Sequence, residues 1–216
     1  MDLCYVVRPG DRNEELRYSL RSLVNLPHER VWVVGHRPSW VRGVEHIRGN
    51  GMHSPQLNAI HNLRLACEQL RERFVVMNDD FYIMEPIAEV PSWHDGPLAE
   101  RLKTAQGAYR DHLRAAQQRL PADALAWTLH IPLVVERDPL AAVLATLAGR
   151  VPPEWRTMYG NLTGATGIQA QDVKVRRRCD PTPAGPFLST SDATIAHVLP
   201  LLRERFPHPS PYEVAP

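Results

Sequence analysis

The chain has 216 residues and a formal net charge of +1, from 25 basic and 24 acidic residues. That balance does not favour a nucleic-acid-binding protein, although residues 174–178 form a local basic cluster. No apolar run is long enough to span a bilayer, the N-terminus turns polar by Arg8, and three widely spaced cysteines fit neither a disulfide framework nor a zinc site. We therefore expect a cytoplasmic protein without a signal peptide, a membrane span or a nucleic-acid partner.

Strand and helix signals alternate through the first half of the chain. Short β-branched and apolar runs predict strands, at residues 3–7, 31–34, 44–47 and 74–83. Apolar residues at helical spacing predict helices between them, at residues 14–23 and 56–73. This order predicts a parallel sheet with right-handed crossovers. No Gly-x-Gly-x-x-Gly or Walker-type loop is present, so neither dinucleotide nor P-loop chemistry is indicated.

The second half is organised differently. A charged stretch rich in Ala, Gln and Arg, residues 98–119, predicts a solvated amphipathic helix that covers the sheet. Other patterns predict helices at 139–148 and 195–206, and extended segments at 128–132, 173–178 and 187–190. The charges of the 173–178 segment are typical of an edge strand that avoids pairing. We expect one domain with a helical insertion.

The most informative stretch is residues 74–83, FVVMNDDFYI, in which a strand-like run meets two adjacent carboxylates. Two ionised Asp side chains at the end of a buried strand are costly unless a cation neutralises them. Ligands of open α/β sheets bind at the carboxyl ends of the strands, and Mg²⁺ or Mn²⁺ prefers one or two carboxylates plus phosphate oxygens. The stretch therefore indicates a metal-diphosphate site at Asp79 and Asp80. The alternative is that residues 78–80 form a polar turn or a helix cap.

Several motifs in the chain occur in a particular order: ELRYSLRSL at 15–23, VVG at 33–35, PSW at 38–40, Asn58, and the run from Phe74 to Phe81. This series resembles the second conserved region of the Stealth family, which includes capsular-polysaccharide sugar-phosphate transferases and the lysosomal-enzyme N-acetylglucosamine-1-phosphotransferase. It is also similar to short glycosyltransferases of actinobacterial bacteriophages. Further segments resemble the first, third and fourth regions, namely residues 3–11, 130–132 with Arg156, 187–192 and 206–213. The chain departs from the family at Ser191, where Asn is usual, and in its insertion at 98–119.

The resemblance implies a glycosyltransferase-A-like α/β fold with a mostly parallel central sheet, flanking helices and a helical insertion. It implies a nucleotide-sugar-binding half (1–90), the insertion (91–125) and an acceptor or catalytic half (126–216) within one transferase domain. The donor would be a UDP-sugar, and Mg²⁺ or Mn²⁺ held by Asp79 and Asp80 would offset the charge of its diphosphate.

Further site residues follow from the same resemblance. His130 would act as general base or acid, Arg156 would contact phosphate, and Asp192 would orient His130, act as base or bind metal. The donor-contacting set would be Arg8, Gly10, Asp11, Arg12, Arg17 and Asn58. From the residues alone, His130 could equally be structural, Arg156 and Arg17 could be surface arginines, and Asp192 could cap the following helix.

The resemblance leaves the reaction open between glycosyl transfer and sugar-1-phosphate transfer. The acceptor would be a protein or glycan hydroxyl, with phage virion proteins as one candidate class. We favour glycosyl transfer because the phosphosugar enzymes of the family are usually larger. Two hypotheses compete with this one. The first is a metal-dependent phosphohydrolase or nucleotidyltransferase, and the second is a non-catalytic nucleotide-sugar-binding module.

Overall fold

The computed structural model describes residues 1–51, 54–176, 183 and 185–214. Its strands, in chain order, are β1 (Asp2–Val7), β2 (Val31–Gly35), β3 (Glu45–Arg48), β4 (Arg73–Asn78), β5 (Phe81–Ile83), β6 (Trp93–His94), β7 (Leu133–Glu136), β8 (Ile168–Gln169) and β9 (Phe187–Ser189). Its α-helices are α1 (Glu14–Ser22), α2 (Pro55–Gln69), α3 (Leu98–Thr104), α4 (Gly107–Gln117), α5 (Arg137–Thr146), α6 (Trp155–Leu162) and α7 (Ile195–Arg205). None of the helices in the described ranges is long and apolar enough to cross a membrane.

The central sheet contains five strands in the order β3-β2-β1-β4-β7. The first four strands of that order are parallel to one another, and β7 pairs antiparallel with β4. The predicted mixed α/β architecture with a mostly parallel sheet is confirmed. The antiparallel edge strand is a detail that the alternation of strand and helix signals did not predict.

Successive residues of β1 are buried on opposite faces of this sheet. Leu3 and Tyr5 pack in one apolar cluster with Leu16 of α1. Cys4 and Val6 pack in another cluster, together with residues of α2, α5 and α6. Because helices cover both faces, the central strands are apolar on both sides, which is why they appear as continuous apolar runs in the sequence.

Several predicted elements have different bounds in the structure. Helix α2 ends at Gln69 rather than at residue 73. The helix predicted over 98–119 is two helices, because Ala105 and Gln106 have extended backbones and Gly107 has a φ of +58°. Residues 128–132 lie in no strand, and β7 begins only at Leu133.

The predicted edge strand at 173–178 is also different. In the described part of that segment, Lys174 forms a single parallel bridge with Ser189 and no longer strand is present. Residues 177–178 and Cys179 lie outside the described residues.

The run at 74–83 is divided between two sheets. Strand β4 belongs to the central sheet, whereas β5 pairs antiparallel with β9 in a two-stranded sheet. Asp79 and Asp80 form the turn between β4 and β5. The predicted turn is therefore present, and it places both carboxylates at the carboxyl end of a central strand.

A buried ion pair holds the C-terminal segment against α1. Glu213 is 2% exposed and accepts hydrogen bonds from Arg17 and Arg21 at 2.8 Å. The backbone N–H of Ser210 also donates to Glu213, at 2.8 Å. Burial alone would raise the pKa of Glu213, but the hydrogen bonds from Arg21, Ser210 and Arg17 outweigh it and lower the pKa to about 2.

We expect Glu213→Gln to lower the free energy of unfolding at pH 7 by about 3 kcal/mol, because two arginines lose their buried counter-charge. The pKa of Glu213 is lower in the folded than in the unfolded chain, so its stabilisation is present above about pH 5 and is lost towards pH 2. Urea unfolding across this pH range measures the effect. Glu29→Gln, at an exposed ion pair, is the matched control and should change little. Equal stability of Glu213→Gln and the wild-type protein at pH 7 would contradict this assignment.

Candidate active site

A cavity of about 450 Å³ opens at the carboxyl ends of β1 and β4. The chain runs outward from β1 to β2 and β3, then returns through α2 to β4 on the other side of β1. The direction of strand order therefore reverses between β1 and β4, which is where ligands bind in open α/β sheets. We refer to this space as the switch-point cavity.

Arg8, the first residue after β1, connects three carboxylates around this cavity. Its guanidinium donates to Glu15 at 2.8 Å and makes a two-pronged contact with Asp192, in which one hydrogen bond is 2.9 Å long. Its Nε lies 3.6 Å from Asp79 Oδ2. These carboxylates raise the pKa of Arg8, with the hydrogen bond to Asp192 as the largest cause, so the side chain remains protonated.

Asp79 and Asp80 both line the switch-point cavity, and each is 9% exposed. Asn13 donates its side-chain N–H to Asp79 Oδ2 at 2.8 Å. Lys174 Nζ and Ser189 Oγ each donate to Asp80 Oδ2 at 3.1 Å. Burial, and then the neighbouring charge of Asp80, raise the pKa of Asp79 to about 7.

Glu15 is a fourth carboxylate of the cavity, and it comes from the first turn of α1. It is 4% exposed and accepts a 2.7 Å hydrogen bond from Thr190 Oγ1. Thr190 is in turn 2.9 Å from the Tyr82 hydroxyl of β5. This chain of hydrogen bonds ties the end of β9 to the same acidic cluster.

The charges of the cavity favour a divalent cation. Its lining contains four carboxylates and two cationic side chains, so the formal charge is −2 when all are ionised: Glu15, Asp79, Asp80 and Asp192 against Arg8 and Lys174. Mg²⁺ and Mn²⁺ typically take one or two carboxylates and leave other positions to water and phosphate oxygens. Asp79 and Asp80 fit this mode. They do not form an all-protein metal site, because no group of three or more His, Cys, Asp or Glu side chains in the described residues could hold an ion.

His130 lies beside a second cavity of about 740 Å³, which shares Lys174 with the first. Asp172 accepts from the backbone N–H of His130 at 3.1 Å, and its carboxylate lies 3.0 Å from His130 Nδ1. Burial would raise the pKa of Asp172, but the bonds to His130 and Arg176 hold it well below its usual range. Burial lowers the pKa of His130 although Asp172 acts in the opposite sense. An ionised Asp172 fixes a proton on Nδ1 and leaves Nε2 as the basic nitrogen.

Arg156 is partly buried and contacts the backbone and an aromatic ring. Its Nη2 donates to the carbonyl of Ile131 at 2.7 Å, and its guanidinium is 5.8 Å from the Phe81 ring centroid. Burial lowers its pKa, while the charges of Asp172 and Asp80 act on it in the opposite direction. Arg156 is therefore not placed to contact a ligand in either cavity, since it is absent from the lining of both.

The other predicted donor contacts do not all line the same cavity. Asn58 lines both the switch-point cavity and a neighbouring cavity of about 540 Å³ at the ends of β2 and β3. Asp11 is held by the loop after β2, where its backbone carbonyl accepts from Trp40 Nε1 at 2.7 Å and its carboxylate lies 3.2 Å from His36. Gly10 has a φ of +145°, a backbone conformation that favours glycine.

The structure does not bring Arg17 or Arg12 to the switch-point cavity. Arg17 pairs with Glu213 at 2.8 Å and lies over the Trp40 ring at 4.2 Å. Arg12 is exposed and is absent from the lining of the cavity. We therefore do not include either residue in the proposed donor site.

Sequence reasoning missed several residues that complete the cluster. Asn13 immediately precedes the helix predicted at 14–23, and in the structure it both accepts from the backbone N–H of Leu16 to cap α1 and donates to Asp79. Glu15 resembled an ordinary acidic residue of a first helical turn. Asp172 and Lys174 carried no local signal, because only the tertiary fold places them beside residues 42 and 94 positions away in the chain.

These features define a mixed α/β fold with a polar cavity at its topological switch point. The fold is similar to that of a galactosyltransferase, LgtC, solved in complex with donor and acceptor sugar analogues, with a TM-score of 0.51, 10% identity, and coverage of 100% of this chain and 88% of that chain. An active-site mutant of LgtC has a TM-score of 0.48 at 11% identity and the same coverage. No protein-family model and no curated protein matches the sequence. The predicted glycosyltransferase-A-like fold is confirmed.

We expect Asp79→Asn to raise the free energy of unfolding by about 1–2 kcal/mol at pH 8 in the presence of EDTA, because it removes one of two adjacent buried charges. The amide oxygen can still accept the hydrogen bond from Asn13, so the turn is retained. Thermal and urea unfolding measure the change. Asp123→Asn, at an exposed position, is the control and should leave stability unchanged. Destabilisation by Asp79→Asn would show that the two charges are already compensated by the protein.

Proposed function

We propose that this protein is a metal-dependent glycosyltransferase that uses a nucleotide-sugar donor, most simply a UDP-sugar. The observation that carries the proposal is the switch-point cavity, in which buried Asp79 and Asp80 lie with Arg8 and Lys174 at the ends of β1 and β4. A diphosphate would be repelled by four carboxylates alone, so its binding here requires a cation. The structural likeness to a galactosyltransferase and the resemblance to the Stealth family support the same class.

Each part of the cavity has a role in this proposal. Asp79 and Asp80 would hold Mg²⁺ or Mn²⁺, and such an ion would supply positive charge to offset that of the leaving diphosphate. Arg8 and Lys174 add positive potential beside the same group. Asn58 borders the part of the cavity assigned to the nucleoside and sugar, whereas Gly10 and Asp11 lie outside its lining and are given no donor contact.

The transfer step is assigned to His130. Its Nε2 takes the proton of an acceptor hydroxyl while the hydroxyl oxygen forms a bond to the anomeric carbon of the donor sugar. The bond between that carbon and the diphosphate oxygen breaks, and the nucleoside diphosphate leaves with the bonding electrons. Asp172 is a positioning residue, since it fixes the tautomer of His130. Asp192 orients Arg8 rather than His130, because its carboxylate is bound to the guanidinium.

The test is incubation with a panel of nucleotide sugars and Mn²⁺, with identification of the nucleotide released. Release of UDP from a UDP-sugar supports glycosyl transfer, and release of UMP instead would establish sugar-1-phosphate transfer. Turnover that never passes the sugar to an acceptor would point to a phosphohydrolase. Nucleotide binding without turnover under any condition would leave a binding module.

We expect Asp80→Ala to reduce nucleotide release by about 10²- to 10³-fold, because the diphosphate loses charge stabilisation in the transition state. It should also weaken Mn²⁺ binding, measured by water-proton relaxation. Asp123→Ala, far from the cavity lining, is the matched control for loss of a carboxylate. Wild-type release and Mn²⁺ binding in the Asp80 variant would refute the metal assignment.

We expect Asp172→Asn to lower acceptor-dependent turnover by about 10- to 100-fold, because His130 loses its fixed tautomer. The acid limb of the pH–rate profile should move to lower pH, since the charge of Asp172 raises the pKa of His130. The exposed Asp111→Asn variant serves as control. A reduced rate with an unmoved profile would indicate that Asp172 has only a structural role.

A further inference from the structure

The second cavity, which we call the insertion cavity, lies beside the switch-point cavity and is about 740 Å³ in volume. One side is formed by the two insertion helices and the residues between them, including Arg101, Gln106 and Tyr109. Its other side includes His130 and Asp172, and Lys174 borders both cavities. A molecule in this space would therefore lie between the insertion and the proposed base.

We propose that the insertion cavity is the acceptor site and that it binds a carbohydrate, so that glycosyl transfer takes place onto a glycan rather than a peptide. The proposal rests on the proposed function, and it names the substrate class of that site. It assigns a recognition role to the insertion helices, which have no counterpart in the regions of family resemblance.

The charged groups of this cavity occur as opposite pairs. Arg101 Nε lies 2.8 Å from Asp95, and Arg176 donates to Asp172 at 2.6 Å. Each pair presents hydrogen-bond donors next to acceptors, without a large excess of one sign. A sugar hydroxyl both donates and accepts, so a polyol can satisfy both members of each pair.

The shape of the cavity also favours a small polar ligand. Its volume lies in the range of small-molecule sites, about 300–1,000 Å³. Two common modes of peptide binding use an exposed strand edge or an apolar groove. The lining of this cavity is instead dominated by charged and polar side chains, among them Thr104, Gln106 and Tyr109.

His130 lines the insertion cavity and is also the proposed base of the transfer step. Its Nδ1 is engaged by Asp172, which leaves Nε2 for a hydroxyl held in the cavity. Lys174 lines both cavities and donates to Asp80, so the insertion cavity and the proposed metal site share this side chain. The acceptor and donor sites would thus meet at Lys174.

Two substitutions at Gln106, which is exposed at the start of α4, test the proposal with little risk to folding. Gln106→Ala removes a hydrogen-bonding side chain, and Gln106→Trp fills part of the cavity. Arg114→Trp is the matched control, because it places the same large side chain on an exposed position of α4 outside the cavity lining. The probes are methyl glycosides of glucose, galactose, mannose and N-acetylglucosamine, together with Ser- and Thr-containing peptides.

Binding and turnover are measured separately. Saturation-transfer NMR should detect binding of at least one glycoside to the wild-type protein and to Arg114→Trp, and its loss in Gln106→Trp. With the active donor, that glycoside should raise nucleotide release above the rate of donor hydrolysis. Gln106→Ala should raise its half-saturating concentration about fivefold, and Gln106→Trp should lower acceptor-dependent release by about tenfold or more. Donor hydrolysis and acceptor-dependent release should both be unchanged in Arg114→Trp, which lies outside the cavity lining.

The outcomes separate this inference from the function on which it rests. If no nucleotide sugar is turned over or bound, the proposed function fails, whereas glycoside binding blocked by Gln106→Trp would still support the carbohydrate site. If the enzyme is active but only peptides accelerate release, the acceptor class is wrong. If a glycoside is used equally well by the wild-type protein and Gln106→Trp, the acceptor lies elsewhere.

Discussion

The structure of the candidate site depends on the neutralisation of four clustered carboxylates. Arg8 binds Glu15 and Asp192 directly and lies near Asp79, while Lys174 binds Asp80. Two cationic side chains do not balance four acids. Burial is the largest cause of the raised pKa of Asp79, and the neighbouring charge of Asp80 adds to it. The cluster is therefore costly to the empty protein, and a bound cation would relieve the cost. This is the usual conflict between stability and function at a site prepared for a charged ligand.

The central sheet explains how such distant residues come together. Arg8, Asp79 and Asp80 follow parallel neighbouring strands, and parallel strands have their carboxyl ends at the same edge. Helix α1 adds Asn13 and Glu15 from its N-terminal turn. The insertion and the segment around 172–176 form a second layer of polar groups outside this edge. The position of the donor site would thus be determined by the sheet, and the position of the acceptor site by segments attached to the sheet.

The sequence predicted those parts of the molecule that depend on local pattern. Apolar runs identified the central strands, and the abrupt change from Met77 to Asp79 identified the acidic strand end. The direction of β7 and the division of the insertion into two helices depend on tertiary packing and on Gly107, so periodicity did not reveal them. The same reason applies to Asp172 and Lys174. The family resemblance predicts Arg17 as a donor contact, whereas its partner in the structure is Glu213 at the other end of the chain.

The buried ion pair between α1 and Glu213 also affects the position of α1 at the candidate site. Helix α1 presents Asn13 and Glu15 to the acidic cluster. Further along the same helix, Arg17 and Arg21 bind Glu213 of the C-terminal segment. The C-terminal segment therefore supports the helix whose first turn positions side chains of the acidic cluster. Proteolytic cleavage between α7 and Glu213 would therefore weaken the support of α1, and with it the contact between Glu15 and Arg8. No residue that lines the switch-point cavity would be changed.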